Sequence, residues 1–395
     1  MNKFTLRKVC KKIGSGATPR GGSDVYLSQG EIALIRSQNV YNDGFKRDGL
    51  AYITKEHAEE LSNVEIEPDD ILLNITGDSV ARCCQVPNEL IPARVNQHVA
   101  IIRPDKDKLD PRYLRYYLIE PVFQDYMLML ASGGATRNAL TKGMIESFEI
   151  SAPSLPEQRA IAGILGALDD KIEVNRRMNI TLENMAKAVF RQWFVKNKEV
   201  EDWEEVPLPE IIEVNPSRSL KKDDIAPYLD MANMPTQGHR GVQWIDRPFG
   251  SGTKFINGDT LLARITPCLE NGKTAFVDFL KDGQVGWGST EYIVFRPKPP
   301  LPHEYGYFLA RSEELRSHAI QNMTGTSGRQ RTPASCFDGF MIAKPPAKLA
   351  LKFGEFASSV IAKIRANYEE SSTLASLRDS LLPRLMSGEI RIKGN

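Results

Sequence analysis

An internal repeat constrains this chain of 395 residues more than any other feature of its sequence. Short motifs recur in the same order about 190 residues apart, and from Tyr113 and Tyr305 onward the offset stays at 192 residues. The matched segments are 69–76 with 258–266, 99–104 with 292–297, 110–118 with 302–310, 132–137 with 324–329, and 148–153 with 340–345. The shared order argues against coincidence, and a long-period repeat predicts two copies of one structural unit.

Each copy ends in a long segment with heptad spacing of apolar residues, which predicts an amphipathic helix. The first helix is predicted from Pro156 to about Phe194 and the second from Ala347 to about Met386, with Pro383 kinking or stopping it and Gly388 capping it. The first pattern places Ile161, Ile164, Leu168, Lys171, Asn175, Met178, Leu182, Met185, Val189 and Gln192 in the seam. The second, 192 residues on, places Phe353, Phe356, Val360, Lys363, Asn367, Glu370, Leu374, Leu377, Leu381 and Arg384 there.

An asparagine lies in the middle of each predicted seam, Asn175 in the first helix and Asn367 in the second. A buried asparagine in a coiled coil costs stability and fixes register and partner. Antiparallel pairing would bring the two asparagines together, whereas a solvated position for each is the alternative. The residues predicted to pair the helices are Ile161, Leu168, Asn175, Leu182 and Val189 with Phe353, Val360, Asn367, Leu374 and Leu381.

The sequence therefore predicts a mixed α/β (α+β) fold in four parts. Short β-branched runs among Gly, Asn, Asp and Pro turns predict a twisted, largely antiparallel sheet with peripheral helices in each globular unit. The predicted parts are 1–153 (first globular unit), 154–199 (first long helix), 200–346 (second globular unit) and 347–395 (second long helix).

Composition excludes several classes of protein. A hydrophobic fraction of 41% is ordinary for a globular chain. No run of about 18 apolar residues is present, so no membrane association is expected. Five cysteines without metal-type spacing suggest reduced thiols, and hence a cytoplasmic protein. The formal charge of +1 gives no hint of nucleic acid.

Catalytic motifs are missing, so we expect a chain that is not an enzyme by itself. The five histidines form no zinc-type cluster, so no metal site is predicted. Lys273 and Thr274 resemble the end of a phosphate-binding loop, but Pro267 stands where that loop needs glycine. The Asn-Pro-Pro-aromatic motif of adenine methyltransferases is also absent. No cofactor is expected to bind this chain.

Loops rich in Gly, Arg, Asn and Gln are the informative polar feature. Arginine reads guanine and Asn or Gln reads adenine in the major groove, and glycine lets backbone amides approach phosphates. Ordinary flexible surface loops are the alternative interpretation. The candidate DNA-contact residues are Arg20, Arg36, Asn39, Arg82 and Arg137 in the first unit, and Arg218, Arg240, Arg264, Arg329 and Arg331 in the second.

Segment 154–194 (SLPEQRAIAGILGALDDKIEVNRRMNITLENMAKAVFRQWF) resembles the central conserved region of specificity subunits of type I restriction-modification systems. The strings NQHVAIIRP, GATRNALTKGMIESFEISAPSLPEQ, GTSGRQRT and SLRDSLLPRLMSGEIRI resemble the same family, so the likeness covers nearly the whole chain. The second helix departs from it, because Lys348-Leu349-Ala350 stands where the first helix has Pro156-Glu157-Gln158.

The resemblance implies two target recognition domains that read the halves of a split, asymmetric site in double-stranded DNA. It implies that the helices form a spacer that docks two methyltransferase subunits and, through them, restriction subunits. S-adenosylmethionine, ATP and magnesium would be bound by those partners, whose assembly would methylate adenine N6 and cleave DNA. The departure in the second helix suggests two docks of unequal strength. The alternatives are the specificity portion of another restriction-methylation system, or a coiled-coil adaptor without a DNA role.

Overall fold

A computed structural model describes residues 2–133, 138–241 and 243–392 of the chain. The chain divides into two compact units. Unit 1 comprises residues 1–171 and 373–395, and unit 2 comprises residues 172–372. Each unit thus includes part of both long helices, whereas the predicted division at residues 153, 199 and 346 sets whole helices apart.

Unit 1 consists of short strands and helices. Its strands are β1 (Asn2–Thr5), β2 (Cys10–Ser15), β3 (Ile32–Ile35), β4 (Val40–Tyr41), β5 (Gly44–Phe45), β6 (Ala51–Ile53), β7 (Ile71–Asn74), β8 (Cys83–Gln85), β9 (Ala93–Val95), β10 (Val99–Pro104) and β11 (Glu149–Ala152). Its helices are α1 (Leu6–Val9), α2 (Lys55–Glu60), α3 (Pro111–Ile119), α4 (Pro121–Ser132), α5 (Lys142–Ser147) and α6 (Leu155–Phe194), which continues into unit 2. Single 3₁₀ turns occupy Gly22–Val25, Ser37–Asn39, Ser62–Val64, Gly77–Ser79 and Asn88–Leu90.

The centre of unit 1 is an antiparallel sheet with the strand order β2-β10-β7-β8. Its strands β7 and β10 are buried on both faces, as their near-continuous apolar sequence requires. One face packs against α3, α4 and the N-terminal part of α6. The other packs against a second sheet of order β6-β3-β9, in which β3 and β9 are parallel.

Unit 2 repeats this arrangement. Its strands are β12 (Glu205–Pro207), β13 (Ile212–Val214), β14 (Ile225–Leu229), β15 (Ile245–Pro248), β16 (Thr253–Phe255), β17 (Thr260–Ala263), β18 (Thr274–Phe276), β19 (Gly286–Gly288), β20 (Tyr292–Pro297) and β21 (Met341–Ala343). Its helices are α7 (Leu208–Ile211), α8 (His303–Ala310), α9 (Glu313–Gln321) and α10 (Ala347–Ser387), and 3₁₀ turns occupy Lys198–Asp202 and Ala334–Gly339.

The two central sheets match strand for strand. The order β13-β20-β17-β18 in unit 2 corresponds to β2-β10-β7-β8 in unit 1, and both are antiparallel. The second sheet of unit 2 has the order β15-β14-β19-β16, with β14 and β19 parallel. The predicted mixed fold and duplication are confirmed, but each unit contains several small sheets instead of one.

The long helices α6 and α10 have 40 and 41 residues. In unit 2 they run antiparallel, since Asn175 of α6 donates to Asn367 of α10 and Phe190 packs edge-to-face against Phe353. Pro383 does not stop α10. The helix continues to Ser387, and Gly388 then takes a left-handed φ of 77°.

Of the two residue series predicted for the seam, one is in the right register and the other is not. The series that begins at Ile161 and at Phe353 is buried or half-buried, as predicted. The second series lies one residue later than predicted. In α6 it comprises Leu165, Ile172, Asn179, Ala186 and Trp193, and in α10 it comprises Ala357, Ile364, Ser371, Arg378 and Leu385. Ile164, Met178 and Met185 are consequently exposed by 42%, 36% and 44%.

Candidate nucleic-acid interface

Four loop segments of unit 1 meet at one end of its central sheet. Strand β10 begins there and β7 ends there, because Val99 pairs with Asn74. The Thr76 hydroxyl lies 2.7 Å from Nδ1 of His98, and Thr76 also bridges to Ala139 in the loop after α4. The Gly16 amide, just after β2, donates to the Val99 carbonyl. Antiparallel pairing therefore gathers four separate polar segments at one surface.

Unit 2 gathers the corresponding loops at the corresponding sheet end. Ile265 and Thr324 each bridge to Arg331 of the glycine-rich loop. Arg264 and Arg331 approach the two carboxylate oxygens of Glu291, at 3.7 Å and 2.8 Å. Glu291 immediately precedes β20, as His98 precedes β10. The same combination of loops thus occurs twice, and we call each instance a loop cluster.

The predicted DNA-contact residues of unit 1 differ widely in accessibility. The Arg20 side chain is 89% exposed and lies 3.9 Å from Glu60. Arg36 and Arg82 are half-buried and stand over the rings of Tyr26 and Tyr41. Arg137 lies outside the described residues.

Asn39 is wrong as a DNA contact. Its side chain is fully buried, and its amide donates to the carbonyls of Lys46 at 2.9 Å and Asp48 at 3.2 Å. Its Oδ1 accepts from the Arg36 amide. A buried amide with these partners cannot reach a base edge, so Asn39 shapes the 36–48 loop instead.

Two arginines predicted in unit 2 are already engaged with carboxylates. Arg218 pairs with the fully buried Asp259 at 3.2 Å. Arg240 lies 3.6 Å from Asp278, and its side chain is only 10% exposed. Both are poor candidates for DNA contact, because a phosphate would have to displace a neutralising acid. Arg329 is exposed and forms no ion pair with any described residue, and Arg264 and Arg331 share Glu291.

A buried ion pair repeats at the opposite end of both central sheets. Arg103 binds Asp70 bidentately at 2.7 Å and 2.8 Å, and Arg296 lies 3.0 Å from Asp259. Both acids are fully buried. Although Asp70 stands in a turn before β7, it is not solvated. Because each is paired with a buried acid, Arg103 and Arg296 have a structural role.

Unit 1 is tied to the helices through Asp169 of α6. Arg115 and Tyr116 of α3 and Arg378 of α10 all donate to its carboxylate, Tyr116 at 2.6 Å and Arg378 at 2.7 Å. Burial opposes ionisation of Asp169, but the Arg115 charge and the three donors outweigh it and hold its pKa below the ordinary 3.8. Asp169 is therefore an ionised anchor between α3 and the helix pair.

Unit 2 is tied to α6 through Glu183. The Tyr307 hydroxyl of α8 donates to Glu183 at 2.6 Å, Lys187 lies 2.9 Å away, and Arg311 lies 3.9 Å away. Burial disfavours the charge, but Lys187, Arg311 and the Tyr307 hydrogen bond keep the pKa of Glu183 below its ordinary value. Helices α3 and α8 occupy matching places in the repeat, so both units use the same kind of anchor.

The seam asparagines form one buried polar layer. The Asn175 amide donates to the Asn367 carbonyl at 3.4 Å, to Glu370 at 2.8 Å and to Ser371 at 3.2 Å. The Asn367 amide donates to Asn179 at 2.8 Å. A layer with this many partners fixes register, because slippage would leave buried amides unpaired.

Among the described residues, no group of three or more His, Cys, Asp or Glu side chains is arranged to hold a metal ion. No helix in the described ranges combines the length and apolar character of a membrane span.

Known proteins share this architecture. Residues 1–184 match the family model described as the type I restriction modification DNA specificity domain. The MjaIX specificity subunit of Methanocaldococcus jannaschii is 25% identical over 97% of this chain and 92% of its own length. The Escherichia coli EcoEI specificity subunit is 34% identical, but the match spans 37% of this chain and 25% of that one.

The crystal structure of the type I restriction-modification S subunit from M. genitalium has the same fold. Its TM-score is 0.58 at 15% identity, over 97% of this chain and 95% of that one. Residues 1–184 thus match a DNA specificity domain, and the fold of the described residues contains two copies of one architecture. Over nearly its whole length the chain is similar to a specificity subunit of a type I restriction-modification system.

Proposed function

We propose that this chain is the DNA sequence-recognition subunit of a type I restriction-modification complex and reads a split site in double-stranded DNA. The observation that carries the proposal is the duplicated loop cluster, one in each unit. Each cluster collects polar and cationic loops on a rigid sheet end, which suits contacts to base edges and phosphates. Two clusters that share a fold but differ in sequence would read two different half-sites.

The exposed face of α6 supports docking of a methyltransferase subunit. Val174, Met178 and Met185 follow one another at helical spacing and are exposed by 50%, 36% and 44%. We call these three residues the α6 stripe. Apolar surface aligned along one helix face favours a partner helix. The positions 192 residues later carry Ala366, Glu370 and Leu377, a less apolar set, which agrees with two docks of unequal strength.

Replacing Met178 by glutamate is expected to weaken methyltransferase binding at least tenfold. Full burial of a methionine contributes about 1.5–3 kcal/mol, and a buried carboxylate adds a desolvation cost. Ile180→Glu is the matched control, because Ile180 is 39% exposed on another face of the same helix. Titration of both variants with the purified methyltransferase would measure the difference, and equal affinities would contradict a dock at the α6 stripe.

In this proposal the chain supplies recognition and its partners supply chemistry. Two methyltransferase subunits would bind S-adenosylmethionine and modify adenine N6. Restriction subunits joined through them would use ATP and magnesium to cleave DNA. The chain itself would bind no cofactor and catalyse no step, and it would act in the cytoplasm, where the DNA is.

The proposed function is tested by expressing the chain with its methyltransferase and mapping the methylated adenines. A single motif of two short half-sites with an unread gap is expected. Arg20→Ala with Arg36→Ala should alter one half-site only, and Arg329→Ala with Arg331→Ala the other only. A continuous motif, or changes in both halves from variants in one unit, would overturn the two-reader proposal.

A further inference from the structure

The second sheet of unit 2 has a face on which no helix of the described residues packs, although its rings are covered by neighbouring side chains, with Trp287 5% and Phe249 9% exposed. Its strand β15 is an edge strand whose four residues are all exposed. The face carries Tyr228, Trp287 and Phe249, with ring centres 4.4 Å apart for Tyr228 and Trp287 and 5.3 Å apart for Phe249 and Trp287. Between β14 and β19 the described residues form no helix that could pack on these rings. We call this surface, completed by Arg247 and Lys254, the open face.

Two cations lie on the aromatic rings of the open face. The Arg247 guanidinium carbon is 4.5 Å from the Tyr228 ring centre and 5.4 Å from that of Trp287. The Lys254 ammonium is 4.9 Å from the Phe249 ring centre. Neither side chain forms an ion pair with any described residue. A guanidinium stacked on a ring keeps its N–H groups free at its edge, oriented for an acceptor.

Trp287 lies beneath the two cations with its own donor unpaired. Its Nε1 is buried and has no hydrogen-bond partner among the described residues. A buried N–H without a partner is costly, and partners are found for the great majority of such groups. The accessible donors of the open face are therefore those of Arg247 and Lys254, and the proposal below rests on these two cations.

Unit 1 covers the same face of the equivalent sheet. The strand order β6-β3-β9 corresponds to β15-β14-β19, and Arg94 stands where unit 2 has Trp287. Helix α2 lies over it, with Ala58 and Leu61 in the core, and Arg94 donates to the Ala58 carbonyl and pairs with Glu65 at 3.3 Å. The repeat thus provides an internal comparison: one copy covers and neutralises this face, and the other leaves two unpaired cations on it.

We propose that the open face is a second DNA-contact surface of unit 2, at which Arg247 and Lys254 bind backbone phosphates. This inference rests on the proposed function and extends it to residues outside the loop cluster. Unpaired cations on a rigid aromatic floor match the charge of a phosphate backbone, whereas a protein partner would be expected to need an apolar or acidic surface here. Strand β19 leads within a few residues to Glu291 of the loop cluster, so one duplex can reach both surfaces.

The test uses the chain assembled with its methyltransferase and a duplex that contains the mapped motif. Binding is measured over a series of salt concentrations for the wild type and for Arg247→Ala with Lys254→Ala. The double variant should bind at least tenfold more weakly, and the slope of log affinity against log salt should fall by about 2, because about one counterion is released per phosphate contact. Arg247→Lys with Lys254→Arg keeps both charges and should retain the slope.

Lys298→Ala with Lys344→Ala is the matched control, since it removes two exposed charges elsewhere on unit 2 and should leave the slope nearly unchanged. A wild-type slope in the Arg247/Lys254 variant, with specific binding intact, would overturn the open face as a DNA contact. Loss of methyltransferase binding by that variant would overturn it in favour of a protein interface. Absence of specific binding by the wild-type assembly would instead refute the proposed function.

Discussion

Replacing Asp169 by alanine is expected to destabilise unit 1 by about 3–5 kcal/mol. The substitution leaves Arg115, whose side chain is 8% exposed, and Arg378, which is 12% exposed, without their shared carboxylate. Buried charges that lose their partner cost this much, more than the intact pair contributes. Amide hydrogen exchange in α3 would report the loss locally, so that the measurement does not require the whole chain to unfold in one step.

Asp170→Ala is the matched control, because Asp170 is the neighbouring carboxylate and its side chain is 64% exposed beside Arg112. An exposed ion pair contributes at most about 1 kcal/mol. Equal losses from both alanine variants would contradict the anchor at Asp169. Since the folded pKa of Asp169 lies below 3.8, its stabilisation is complete above that pH and is lost as the pH falls through the folded value. Asp169→Asn should flatten this acid-side loss.

Lengthening both long helices by one heptad is expected to widen the gap in the recognised DNA motif by about three base pairs. Seven helical residues add about 10.5 Å, and the duplex rises about 3.4 Å per base pair. Repeating residues 165–171 after Lys171 and residues 373–379 after Ser372 would duplicate one seam layer, with Asp169 and Arg378 in both copies. Methylated-adenine mapping would measure the gap, and the half-site sequences should stay unchanged.

The paired insertion has an internal control. An insertion in α6 alone breaks the match between the antiparallel seams and should abolish binding, because seam layers such as Asn175 with Asn367 would lose register. An unchanged gap in the paired variant, with both half-sites still read, would show that the helices do not set the spacing.

The sequence predicted the fold to the extent that periodicity specifies it. The duplication and the long helices follow from repeated motifs and apolar spacing, and the helices begin and end within one residue of the predicted positions. The second seam series was misplaced because apolar residues stand at both alternatives. Ile164 and Leu165 are adjacent, and only packing shows that Leu165 is buried and Ile164 is not.

The candidate site was harder to predict because residue type does not reveal whether a charge is already paired. Arg218 and Arg20 look equivalent in sequence, yet Arg218 has a buried carboxylate partner and Arg20 is almost fully exposed. Arg247 was missed because its accessibility depends on packing, since the described residues of unit 2 place no helix on that face. Neither the sequence of β15 nor the aromatic residues near it indicate whether a helix packs on this face.

The two anchors on α6 have a consequence for how a globular part of the chain can be replaced by recombination. Asp169 receives Arg115 and Tyr116 within unit 1, and Glu183 receives Tyr307 within unit 2, so each globular part is fastened by donors on its own short helix. Recombination that replaces residues 200–346 would leave both acids in place. An incoming segment would need a hydroxyl or cation at the place of Tyr307 and an apolar surface that packs on Phe190 and Phe353, while its loops are free to differ. New target sites can therefore arise by gene exchange without redesign of the helices.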